Sequence, residues 1–85
     1  MTETILVVED EPALQETLAY NLKKEGYTVE TVGDGRKALD LARLLKPDLI
    51  VLDLMLPGMD GLEVCRQLRN AKIFSPILML TARSE

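Results

Sequence analysis

Four stretches of the chain are apolar in a way that only strands explain economically. Ile5-Leu6-Val7-Val8, Leu49-Ile50-Val51-Leu52 and Ile77-Leu78-Met79-Leu80 are unbroken aliphatic runs. Short runs of this kind suit parallel strands covered on both faces. Tyr27 to Val32 alternates instead and is more polar, which places it at a sheet edge. Helical periodicity fills the gaps. Leu14, Leu18 and Leu22 share one face of a helix over about residues 12–25, opened by Pro12 and stopped by Gly26. Asp34-Gly35 marks a turn, and Ala38, Leu41, Ala42 and Leu45 give a second helix its stripe, ended by Pro47. Pro57-Gly58 turns the chain again. Asp60 caps a third helix reaching about Asn70, with Leu62, Cys65 and Leu68 expected inward and Arg66 and Arg69 on a solvated face. Pro76 opens the last strand, which runs into Thr81-Ala82. Strands alternating with helices imply right-handed βαβ units and an α/β fold with a parallel sheet.

Chemistry gathers where the strands end. The first run passes directly into Glu9-Asp10-Glu11, and the third strand, residues 48–53, closes on Asp53. Acidic residues before a helix commonly serve as caps or dipole partners, and a lone Asp after a strand is commonly a turn former. Here both features close an aliphatic strand, and ligands of open parallel sheets collect outside the carboxyl ends of the strands. If the two strands are neighbours, Glu9, Asp10 and Asp53 converge. Three carboxylates in one place repel unless a cation sits between them. Magnesium takes one or two carboxylates with waters and a phosphate. The cluster therefore predicts a magnesium site beside a carboxylate able to act as a nucleophile.

Composition narrows the choices. The 85 residues make one small domain, and 47% hydrophobic content makes it globular. Ten basic against fourteen acidic residues, net −4, leave no basic stripe for binding nucleic acid directly. A single cysteine, Cys65, excludes an internal disulfide, and the absence of histidine removes imidazole catalysis and most zinc sites. No apolar run reaches the roughly 18 residues of a membrane span and no signal-peptide pattern is present, so the expected location is cytoplasmic.

Taken together, residues 5–12, 48–61 and 76–83 resemble the receiver domain of bacterial two-component response regulators, in order and in spacing over nearly the whole chain. The wording around Asp53 and in the last strand looks most like the OmpR/PhoB winged-helix subfamily. The resemblance implies a flavodoxin-like sheet of order 2-1-3-4 and a function as phosphoacceptor. Asp53 would take a phosphoryl group from a sensor histidine kinase. Asp10, Glu9 and Asp53, with the backbone carbonyl of Met55, would hold Mg2+. Thr81 would donate its hydroxyl to a phosphoryl oxygen, and the small Ala82 would leave room for the group. Such a domain catalyses its own phosphorylation and is not a turnover enzyme. Phosphoryl transfer needs an in-line nucleophile and charge stabilisation more than acid–base groups, which suits a site without histidine.

Residues 1–85 are expected to be the N-terminal part of one receiver domain. A fifth strand with its phosphoryl-binding lysine and aromatic switch residue, and the last two helices, would be missing. Strand four would then be a bare edge open to self-association, and DNA would be reached only through a domain outside this chain. The alternative function is a receiver fragment that only folds, assembles or binds a partner without switching. A phosphatase of the haloacid-dehalogenase type would need a second Asp where Met55 stands, and a flavodoxin would need a phosphate loop where Glu9-Asp10-Glu11 stands.

Overall fold

The computed structural model describes residues 2–56 and 59–80. Along the chain run β1 (Thr4–Val8), α1 (Pro12–Lys24), β2 (Thr28–Val32), α2 (Gly35–Leu45), β3 (Leu49–Asp53), α3 (Gly61–Asn70) and β4 (Ile77–Leu80). The four strands form one parallel sheet of order β2-β1-β3-β4. The polar strand β2 is an edge, as its alternation predicts, and β4 is the other edge of the described sheet.

Strand alternation divides the core in two. Ile5, Val7, Val29 and Val51 face α1, where Leu18, Ala19 and Leu22 pack against them. Leu6, Val8, Ile50 and Leu52 face the other way and meet Ala38 and Ala42 of α2 with Val64 and Leu68 of α3. Among the described residues, one helix covers one face and two helices cover the other. The small residues Ala38 and Ala42 let α2 lie close to the sheet, and both are almost fully buried.

Each helix starts on a side-chain cap. The carboxylates of Glu11, Asp34 and Asp60 accept from the backbone N–H of Leu14, Arg36 and Glu63, at 3.2, 2.8 and 2.9 Å. Gly26, with φ 101°, follows α1 in the left-handed region that favours glycine.

The inward face of α3 differs from expectation. Leu62 is 64% exposed, and the buried stripe is Gly61, Val64 and Leu68, with Cys65 half-buried beside it. Leu62 lies about 100° round the helix from Gly61 and so falls off that stripe. Gly61 sets the helix's rotation, because its missing side chain allows the closest approach to β3. Arg69 also departs from a solvated role: its guanidinium donates to the carbonyls of Ile73 and Ser75, at 2.7 and 3.0 Å. On α1, Leu18 and Leu22 pack as expected, whereas Leu14 in the first turn is 42% exposed and lies outside that cluster.

Candidate functional site

The register of β1 on β3 builds the site. Val8 pairs with Leu52, so the next residues, Glu9 and Asp53, leave adjacent strands side by side. The Glu9 N–H is held by the Val32 carbonyl at 2.9 Å, which extends the β1–β2 ladder by one residue and fixes where the chain departs. On the far side Asp53 is level with Leu80, and the Leu54 N–H donates to the Leu80 carbonyl at 3.0 Å.

One carboxylate oxygen from each of Glu9, Asp10 and Asp53 lies within 4.8 Å of the other two. Glu9 and Asp53 are buried, at 2% and 4% exposure, and Asp10 is exposed at the mouth. Leu14, Met55 and Leu80 form the apolar rim of a cleft of about 360 Å³ around them. The Asp53 carboxylate is oriented by the Met55 N–H, which donates to Oδ1 at 3.0 Å. Glu9 is held at two points. Its Oε2 accepts from the Glu11 N–H at 2.9 Å, and its backbone carbonyl accepts from the Gln15 side chain at 2.7 Å. Gln15 carries no signal in the sequence, because it reaches the site only once α1 folds back over the end of β1.

The electrostatics are unbalanced. Burial, chiefly, pushes the Glu9 carboxyl above its usual range. The Glu11 N–H opposes this, and the charges of Asp53 and Asp10 add to it. Glu9 Oε1 is buried without a hydrogen-bond partner among the described residues while the carboxyl is ionised; protonated, Glu9 can share a hydrogen bond with Asp53. A buried oxygen left unpaired costs about 1–3 kcal/mol. An oxygen-only donor set with surplus negative charge and one orphaned oxygen fits a hard divalent cation.

The structure therefore brings together the predicted trio Glu9, Asp10 and Asp53, and places Met55 on the rim. Thr81 and Ala82, with Pro57 and Gly58, lie outside the described residues. Gly61 was no candidate, yet it supports the site from behind. A Cβ there would stand 2.6 Å from Leu54 Cα and 2.8 Å from the Asp53 carbonyl oxygen.

Comparison with known proteins accords with this geometry. Residues 5–85 match the response regulator receiver domain. The chain is 56% identical over its full length to the alkaline phosphatase synthesis transcriptional regulatory protein PhoP of Bacillus subtilis, spanning 35% of that protein. It is 52% identical over its full length to the DNA-binding response regulator MtrA of Mycolicibacterium smegmatis, spanning 37% of it. The chain thus covers about a third of the length of these relatives. Among solved structures, the chemotaxis response regulator CheY4 of Vibrio cholerae superposes with a TM-score of 0.93 at 34% identity, over 100% of this chain and 72% of that one. The BeF3-activated receiver domain of RstA from Klebsiella pneumoniae does so at 0.88 and 38%, over 96% and 69%. A parallel sheet of this order, an acidic cleft at its carboxyl edge and matches of this extent have one common explanation: the chain belongs to the response regulator receiver domain family.

Proposed function

We propose that Asp53 is the phosphoacceptor of this receiver domain, and that Glu9, Asp10 and Asp53, with the Met55 carbonyl, hold Mg2+ beside it. The observation that carries this reading is the convergence of the Glu9, Asp10 and Asp53 carboxylates where β1 and β3 end, with Glu9 Oε1 buried among them. One oxygen of Asp53 forms a bond to phosphorus as the bond from phosphorus to the donor breaks, and the electron pair leaves with the donor. The product is an acyl phosphate. The Met55 N–H keeps the carboxylate oriented for that attack. Burial keeps water away from the nucleophile, and the apolar rim of Leu14 and Leu80 shields the product from hydrolysis. Bound Mg2+ would supply charge stabilisation to the transferring oxygens. Thr81 is assigned the hydroxyl contact to the phosphoryl group.

The donor is a sensor histidine kinase, and the parent protein regulates transcription through a DNA-binding part outside these residues. The similarity to a transcriptional regulatory protein and to a DNA-binding response regulator supports this. A cytoplasmic location accords with such partners, and no described helix is long and apolar enough to cross a membrane. Edge-to-edge contact through β4 is the proposed route of self-association for the 85-residue chain.

Intact-mass measurement with acetyl phosphate tests the assignment. One added phosphoryl group is expected with Mg2+, none with a chelator and none in Asp53→Asn. An adduct of equal yield on Asp53→Asn would sink the assignment.

A further inference from the structure

A second cleft, of about 400 Å³, lies at the opposite end of the sheet from the acidic site, where the chain enters β3 and β4. Its walls are the last turn of α2 with its cap and the connection from α3 to β4. Ala71 and Ile73 contribute apolar surface. Arg43, Lys46 and Lys72 contribute three cations, and no acidic residue lines the cleft. None of the three cations forms an ion pair among the described residues. Phe74, the only phenylalanine in the chain, is 71% exposed beside them.

The connection is held firmly. Arg69 clamps the Ile73 and Ser75 carbonyls, and the Ser75 hydroxyl donates to the Pro47 carbonyl at 2.6 Å, tying it to the start of β3. Lys46 and Lys72 both have positive φ, 48° and 63°, just after α2 and α3, where glycine or asparagine is the usual occupant. Compensation of the helix dipoles accounts for lysine near a helix end. It does not account for an exposed aromatic ring beside three unpaired cations on a chain of net charge −4.

We propose that this groove docks a short acidic peptide segment carrying one large apolar side chain. The apolar side chain lies against Phe74 and Ile73, and the carboxylates meet Arg43, Lys46 and Lys72. An exposed aromatic ring beside three cations complements an apolar side chain flanked by carboxylates, and such charge complementarity favours an acidic partner. A nucleic acid is disfavoured, because three cations on a net-negative chain neutralise too few phosphates. The inference does not depend on Asp53 being phosphorylated.

The chain has no tryptophan, so Phe74→Trp supplies a single tryptophan in the groove, read by excitation beyond the absorption of Tyr20 and Tyr27. The probe is a blocked pentapeptide with four acidic residues around a central leucine. A saturable emission change is expected. Half-saturation should move to about tenfold higher peptide, close to 1.4 kcal/mol, when Lys46→Gln and Lys72→Gln are added. The same weakening is expected when the leucine is replaced by serine. Amide shifts in the unsubstituted chain should concentrate at residues 42–46 and 71–75. If the lysine variants lose the wild-type amide spectrum, Arg43→Gln on the exposed face of α2 serves in their place. The idea is overturned by no saturation, by equal binding of the serine peptide, by indifference to the charge substitutions, or by tighter binding of a single-stranded oligothymidylate.

Discussion

Glu9 is the residue on which the balance of the site turns. It is buried beside two other carboxylates, one of its oxygens has no partner among the described residues, and burial raises its pKa. The fold therefore favours the protonated form. Its contribution to stability is fully present below the ordinary glutamate value of 4.5 and is lost as pH rises through the raised folded value. The groups facing it are Asp10 and Asp53, which make its ionisation harder, and the Glu11 N–H, which eases it. In chelator, the chain should melt at progressively lower temperature as pH rises above 4.5, and Glu9→Gln should flatten that slope and melt higher at neutral pH. Added Mg2+ should raise the melting temperature of the unsubstituted chain more than that of the variant. Identical pH slopes for the two proteins would count against a raised Glu9 pKa. All three members of the trio were legible as residues, because each lies within two residues of the end of an aliphatic run. Gln15 was not, since its reach to the Glu9 carbonyl depends on the angle of α1 over the sheet.

At the scale of elements, the helices are placed by small contacts that periodicity does not rank. Leu62, Cys65 and Leu68 make a plausible stripe on paper, yet Val64 is the buried side chain and Leu62 faces solvent. The close approach of Gly61 to Leu54 and the Asp53 carbonyl decides the rotation. In urea unfolding, Leu62→Ala should stay within about 0.5 kcal/mol of the unsubstituted chain. Leu68→Ala should cost about 2–5 kcal/mol. Gly61→Ala should cost about 1–3 kcal/mol, because the added methyl meets backbone that cannot swing aside. It should also slow acyl phosphate formation at Asp53, the residue whose carbonyl it would push. A Gly61→Ala chain as stable and as reactive as the original would show that β3 and α3 are free to separate. The caps at Glu11, Asp34 and Asp60 are of a different kind: each is local, and Asp60 was readable from the sequence as a helix start.

For the whole molecule, the two clefts at the ends of the sheet differ in charge, while Glu3 and Asp48 lie on neighbouring surface at the entry end. The carboxyl end collects Glu9, Asp10 and Asp53, while the entry to β3 and β4 collects Arg43, Lys46 and Lys72. Among the described residues the faces are unequal as well, with α1 alone on one and α2 and α3 on the other. On the edge strand β4, Leu78 on the α1 face and Met79 on the other face are both exposed. An exposed apolar edge strand invites pairing with a second edge. The 85-residue chain is expected to show concentration-dependent association in sedimentation, and Met79→Lys should weaken it without lowering phosphorylation of Asp53. Association unchanged by that charge would move the contact elsewhere.

The sequence by itself determined the element types, the parallel sheet and the acidic residues at the strand ends. Those follow from local hydrophobic period, from proline and glycine punctuation, and from the rule that charge leaves an aliphatic strand only at its end. Resemblance added the strand order. The tertiary structure alone decided which groups meet. The pairing of Val8 with Leu52 sets Glu9 beside Asp53 across more than forty residues of chain. The contact of Gly61 with β3 turns Val64 inward, and the clamp of Arg69 shapes the second cleft. Such outcomes depend on register and on close approach between distant segments, and no local pattern carries that information.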